Sequence, residues 1–483
     1  MKQRCLALIG ELFLLTSLQS TVHSQSAQSA VPSSAVAVLP SSRTIDPRSY
    51  GAKGDGVTYD TVSLQKAIDA CGGTGGRVVL KPGSYLSAQL TLRAGMTLHL
   101  DKGAVLLGGT NAVDYPVLMP DKTSATAIRR SLLFADKADG LVIEGEGEID
   151  GRGQSVQMFG KESERPSLIR IFSSKDVTIR NITLRNPRMW TQVYCECSHL
   201  LLDHLTVIAP PYCPNLDGMD ICDSHDVIIR NCDVASEDDS ICLKSHGQAG
   251  LQNIVVENNR VLSWHANAIK LGTATVGPIS HLIFNNNLVT GARYGGLCIE
   301  SVDGSVVKDI EVKGLDLYKV SQPVFIRLGH RDVHGSIGDL QQSNRPTGSI
   351  DGVLLQGIRA FGTADATKGP CSITGIPGAK VRNVTLKDCY FEMPGGMTNI
   401  NLPALPPERE GDYPQSNMVG NTPAYGIFIR HAEGITLDHV FFGYHRPDAR
   451  PWICEVDATV QTNNCGDLGL VESCDNPGLK ASQ

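Results

Sequence analysis

Six short apolar runs in the middle of the chain, "DVTIRN", "LLLDHL", "DVIIRN", "NIVVEN", "HLIFNN" and "DIEVKG", recur at a nearly fixed interval. Their central residues, Ile179, Leu202, Ile229, Val256, Phe284 and Val312, are separated by 23, 27, 27, 28 and 28 residues. A repeat of this length, with one short strand per run and no amphipathic helix between runs, is what a coiled solenoid requires. The leucine spacing of leucine-rich repeats and the Trp-Asp dipeptide of propeller blades are both missing. The expected fold is therefore all-β, a single-stranded right-handed parallel β-helix. Asn181, Asn231, Asn258 and Asn286 each follow their run's centre by two positions. At a rung spacing of about 4.8 Å this shared register predicts a ladder of side-chain amides inside one turn.

An open solenoid end needs a cap. Upstream, "YDTVSLQKAIDACGGTGG" fits one amphipathic helix with Asp60 as N-cap and a stop at Gly72-Gly73. Val62, Leu64, Ala67 and Ile68 would give it the apolar face that plugs the first coil. Beyond Asp351 the strand pattern resumes at "GVLLQG", "VRNVTLKD" and "GITLDHV", interrupted by loops rich in Pro and Gly. Loops at 331–349 and 394–421 are long enough to wall off a groove. Ahead of the repeats, Lys2 and Arg4 precede an apolar stretch from Cys5 to Leu18. That reads as a secretory signal over residues 1–24, followed by a flexible leader over 25–43 and a β-helix domain over 44–483. The expected location is secreted or periplasmic, with no membrane span.

Composition narrows the partners. A net charge of -7 argues against nucleic acid, which calls for a basic face. Of 14 cysteines, Cys5 lies in the presumed signal. Cys465 and Cys474, in a polar tail, are the disulfide candidates in an oxidising compartment. Cys222, Cys232, Cys242 and Cys298 fall in strand-like runs and read as small apolar fillers. No CxxC pairs with a second such element, so no metal site is expected. No Gly-rich phosphate loop opens a helix, so no cofactor is expected either.

Between Asn215 and Ser245 acidic residues gather in two knots, Asp217 with Asp220, then Glu237, Asp238 and Asp239. Aligning coils by their apolar positions lays "DGMDICDS" over "DDSICLKS", then over "ANAIKLGT" and "YGGLCIES", so that Asp217 stacks on Asp238. Like charges on neighbouring rungs repel and raise at least one pKa, as expected where a proton must be held near neutral pH. A calcium site or a solvated turn is the competing reading of the same spacing.

With these residues in view, the chain resembles the polygalacturonase family of glycoside hydrolases, family 28. The resemblance rests on Asn215-Leu216-Asp217-Gly218 followed one coil later by Asp238-Asp239, and on "RTIDPRSYGAKGDGVTYDT" and the late coils. It implies a pectic polysaccharide substrate, Asp238 as general acid, Asp217 and Asp239 holding the attacking water, and inversion with acid and base roughly 6.5–9.5 Å apart. The family's Gly-His-Gly and Arg-Ile-Lys elements fall here on Ala266-Asn267-Ala268 and Cys298-Ile299-Glu300. The usual histidine and the two substrate-gripping cations are thus missing, so plain polygalacturonate should bind poorly; rhamnogalacturonan-cleaving members also depart from these elements, and the resemblance implies a pectin-type polymer, galacturonan or rhamnogalacturonan, without fixing which sugar. Asn215, Lys244, Asn267, Lys270, Glu300 and Arg327 are the candidate substrate-binding residues. Lys244 and Lys270 share the outward strand parity, since Ile241, Leu243, Ile269 and Leu271 point inward. His265 stands out of the family histidine's register. A monomer is expected. A calcium-dependent pectate lyase and a non-catalytic polysaccharide-binding β-helix are the alternatives.

Overall fold

The computed structural model describes residues 43–117, 130–155, 164–331, 345–362, 369–398 and 404–472. The predicted signal, nearly all of the leader, Cys474 and much of the loop at 331–349 lie outside the described residues.

Every predicted centre stacks on the next. Ile179 pairs with Leu202, Leu202 with Ile229, Ile229 with Val256, Val256 with Phe284 and Phe284 with Val312, all in parallel register. The column continues through Leu355, Leu386 and Leu437, and backwards through Ile143, Leu98, Val78 and Ile45. Each of these side chains is at most 5% exposed and belongs to one continuous core. Burying such a side chain is worth about 1.5–3 kcal/mol, so the stacked column is a principal source of stability. Two further parallel ladders run beside it. One passes through Thr206–Ala209, Asp233–Ser236 and Arg260–Ser263. The other passes through Ser167–Phe172, Gln192–Cys195, Met219–Cys222, Ile241–Ser245 and Ile269–Thr275. Successive parallel strands joined in this way give a right-handed parallel β-helix.

The asparagine ladder exists, but one position later than predicted. Asn181, Asn231, Asn258 and Asn286 are exposed, with φ between 51° and 58°. They serve as turn residues, because asparagine tolerates the left-handed conformation better than most. The buried amides are Asn259 and Asn287. Asn259 Nδ2 donates to Asn287 Oδ1 at 3.0 Å and to the Ile229 carbonyl at 3.1 Å, while Asn259 Oδ1 accepts the Cys232 amide at 2.9 Å. The turn bends at the first residue, and that bend aims the second one inward.

The capping helix spans Thr61–Cys71 and buries Leu64, Ala67, Ile68 and Cys71 against the first coils. Val62 does not join them, being 67% exposed. Asp60 is not a side-chain cap: its carboxylate accepts the Lys53 and Gly54 amides instead, tying the preceding loop to the helix start. Cys222, Cys232, Cys242 and Cys298 are all buried. Among the described residues no helix is long and apolar enough to cross a membrane.

Candidate active site

The acidic residues gather on the outward face and leading edge of the ladder through Met219–Cys222 and Ile241–Ser245. Met219 pairs with Ile241, Asp220 with Cys242, Ile221 with Leu243 and Cys222 with Lys244. This corrects the predicted register by one residue. Met219 and Ile221 must face the core together with Ile241 and Leu243, and a one-residue slip would turn them outward. Asp217 therefore neighbours Asp239 rather than Asp238, and the Gly218 amide donates to the Asp239 carbonyl at 2.9 Å. On the next two coils the predicted register holds, with Lys270 between Cys242 and Cys298.

Asp217, Asp238 and Asp239 each offer a carboxylate oxygen within 4.8 Å of the other two. That is closer than the separation expected of an acid and base on opposite faces of a sugar. Two buried ammoniums hold the cluster together. Lys244 Nζ donates to Asp217 and Asp220 and lies 3.5 Å from the centre of the Trp190 ring. Lys270 Nζ donates to Asp239 Oδ2 at 3.0 Å and to the Tyr413 hydroxyl at 3.2 Å. Asn267 gives Asp239 Oδ1 both its side-chain amide (2.8 Å) and its main-chain amide (3.1 Å). Each lysine is charged: burial works against it, but the carboxylates around it outweigh that.

Neighbouring carboxyls are pushed in opposite directions. Burial, and then Asp239, raise Asp238 above the usual carboxylate range. Burial would raise Asp239 too, but Lys270, Lys244 and the Asn267 bond prevail and lower it. Asp217 is raised by burial and by Asp220, and Asp220 rises to about 6, chiefly through burial. Among the described residues Asp217 Oδ1 and Asp220 Oδ2 have no hydrogen-bond partner. Of the three central carboxylates only Asp238 is partly open to solvent. Its main-chain carbonyl is pinned by the Ser236 and Ser263 hydroxyls.

The predicted substrate-binding residues are distributed differently from expectation. Lys244, Lys270 and Asn267 are brought to the cluster but buried, spent on positioning carboxylates. Asn215, half-buried with φ 64°, accepts a bond from Arg165 through its Oδ1. Glu300 is fully buried and pushed up to about 8 by burial, and its carboxyl accepts a bond from the Thr273 hydroxyl. Arg327 is not at the cleft surface. It is 3% exposed and donates to the carbonyls of Gly375, Glu408 and Arg409.

Sequence reasoning named Asp220, Glu237 and His265 without giving them a part in the site, and passed over the aromatic residues. Asp220 shares the outward parity of Lys244, which was readable in "DGMDICDS". Glu237 is raised to about 7 by burial and by Asp238. Trp190, Trp264, Tyr294 and Tyr413 supply aromatic surface around the acids, and His265 meets Tyr294 edge-on at 6.1 Å between ring centres. Tyr413 reaches Lys270 across 143 residues of chain, a contact without local signature.

Known proteins resemble this chain along most of its length. A probable polygalacturonase of Vitis vinifera is 27% identical over 365 residues, covering 70% of this chain and 73% of that protein. An endo-polygalacturonase of Pectobacterium carotovorum is 25% identical, over 68% of this chain and 87% of the relative. The solved family 28 exopolygalacturonase of Yersinia enterocolitica superposes with a TM-score of 0.67 at 20% identity, over 87% of this chain and 78% of its own, and so shares the fold. The family model for glycosyl hydrolases family 28 matches residues 78–402, two thirds of the chain and all of the acidic cluster, and the protein belongs to that family.

Proposed function

We propose that the protein hydrolyses glycosidic bonds in a pectin-type polysaccharide, galacturonan or rhamnogalacturonan, as a secreted or periplasmic monomer. The observation that carries the mechanism is the opposite displacement of two adjacent carboxyls, Asp238 upward and Asp239 downward. Such a split is how one site keeps a proton donor beside an ionised base. Asp238, the exposed member, donates its proton to the leaving glycosidic oxygen as the C1–O bond breaks. Asp239, with Asp217 beside it, orients a water and takes its proton while the hydroxyl oxygen bonds to C1. Lys270 and Asn267 hold Asp239 in place as the ionised acceptor, and Lys244 fixes the position of Asp217 beside it. Inversion at C1 is taken from the family resemblance and not from the spacing, since oxygens within 4.8 Å of one another are closer than the roughly 6.5–9.5 Å of an inverting pair; NMR of the first-formed anomer decides.

The missing family cations bear on the substrate. Cys298 and Glu300 stand in their places, and Lys244 and Lys270 are buried in ion pairs. A uronate at that position gains little, which supports rhamnogalacturonan over plain polygalacturonate.

Asp238→Asn is expected to lower kcat by about 10²–10⁴-fold on the true substrate while circular dichroism stays unchanged. Retention of most activity would overturn the assignment. The three oxygens within 4.8 Å also suit a cation, as a lyase would need. Products absorbing in the ultraviolet and lost on adding chelator would establish that reading instead.

A further inference from the structure

One row of positions runs along the helix axis at the leading edge of the site: Trp190, Asp217, Asp239, Asn267 and Gly295, each on its own coil. Main-chain hydrogen bonds set the sequence, Thr191 to Asp217, Gly218 to Asp239, Ser240 to Asn267 and Ala268 to Gly295. Its two ends differ. At one end Trp190 is half-exposed, with its ring on the Lys244 ammonium. At the other, residues 404–419 lie across the sheet. A Cβ on Gly295 would stand 3.5 Å from the Ser416 Cβ. Val419 and Met418 cover Cys298, Phe325 and Phe428.

This covering segment is fastened rather than laid on. Arg327 donates to the Glu408 carbonyl at 2.8 Å and to that of Arg409 at 3.1 Å. Arg430 donates to the carbonyls of Pro406 at 2.6 Å and Pro407 at 3.3 Å. The His330 amide bonds the Glu410 carbonyl at 2.8 Å. Tyr413 bonds Lys270 and lies under Arg331, which is itself locked to Asp303. Arg327 and Arg430 are 3% and 4% exposed, and a buried guanidinium is costly without acceptors. Lifting the segment would take from Arg430 its Pro406 and Pro407 acceptors and leave Arg327 only those of Thr374 and Gly375.

We infer that residues 404–419 form a fixed wall one rung past Asn267, so that among the described residues the cleft has one open end. The protein then takes a pectic chain by its terminus, with the remaining polymer leaving over Trp190, and releases products of one short length. This rests on the hydrolase reading above, and the substrate side of it can be tested without catalysis.

The Asp238→Asn protein is titrated with polygalacturonate and with rhamnogalacturonan, each pre-cut to a series of lengths at equal sugar mass. Capture of termini predicts that binding capacity per mass of sugar rises by the same factor as the number of chain ends. Capacity independent of length overturns the wall while leaving the substrate reading intact. The active protein on the better-bound polymer is expected to release a single short product from the first turnovers, with viscosity falling slowly. A ladder of oligomers with early loss of viscosity overturns the inference. Failure of both polymers to be bound or cut defeats the pectic reading itself, and this inference with it.

Discussion

Two faces of one sheet make the most instructive comparison in the molecule. Inward, Ile221, Leu243, Leu271, Ile299, Ile326, Ile373 and Ile429 stack in an unbroken apolar column. Outward and one residue earlier, the same rungs carry Asp220, Cys242, Lys270, Cys298, Phe325, Ser372 and Phe428. The backbone spacing is identical, yet the rules are opposite. Apolar neighbours gain from repetition, whereas like charges at about 4.8 Å repel, so a charged column must alternate with cations or neutral groups. In these outward columns it does. The exception is the leading edge, where Asp217 abuts Asp239 with Asp238 alongside. A lattice that elsewhere separates like charges concentrates them at one point, and that point has the means to hold a proton.

This contrast can be broken deliberately. The largest effect is expected from Lys270→Met, which leaves Asp239 buried without its ammonium and should cost about 3–5 kcal/mol in denaturant unfolding. Leu271→Ala, its inward neighbour, should cost about 2–5 kcal/mol through lost burial and a cavity. If Lys270→Met were neutral, the outward face would not depend on paired charge as argued.

A pH series sharpens the same point. Glu300 is raised from 4.5 to about 8, so the folded state binds its proton more tightly than the unfolded chain. Its contribution is complete below about pH 4.5 and is lost as pH rises through about 8. The melting temperature should therefore decline over that window, and Glu300→Gln should flatten the decline. An unchanged slope in the variant would remove Glu300 as the source.

Smaller effects separate the two asparagine positions. Asn259→Ala strands the Cys232 amide and should cost about 1–3 kcal/mol. Asn258→Ala, which only burdens a left-handed turn, should cost about 1 kcal/mol. Equal costs would blur the distinction between the inner ladder and the outer bend.

Much of this was legible in sequence, for a physical reason. Inward positions repeat in kind, so all six apolar centres could be paired by inspection, and each pairing is found. The register failed by one on a single coil: the apolar alignment that set Asp217 on Asp238 put Met219 over Ser240, whereas Met219 pairs with Ile241. Inward parity of Met219 and Ile221 was the stronger constraint. The asparagine register failed because the exposed bend residues recur on four rungs, Asn181, Asn231, Asn258 and Asn286, and so outnumber the two buried amides that follow them, Asn259 and Asn287. The lysines were correctly placed on the outer face, but parity says nothing of what lies above it. Tyr413, Ser416 and the arginine staples arrive from distant segments, and Arg327, expected at the substrate, turns out to fasten one of them.

The stacked column also tolerates very unequal connections. Val312, Leu355, Leu386 and Leu437 are successive neighbours although 43, 31 and 51 residues separate them in the chain. Coil length is thus decoupled from rung geometry, and the surplus is extruded sideways. Someone wishing to retool what this scaffold admits would edit those extrusions as interchangeable parts, shortening or grafting them, while the proton-handling rungs beneath stay untouched.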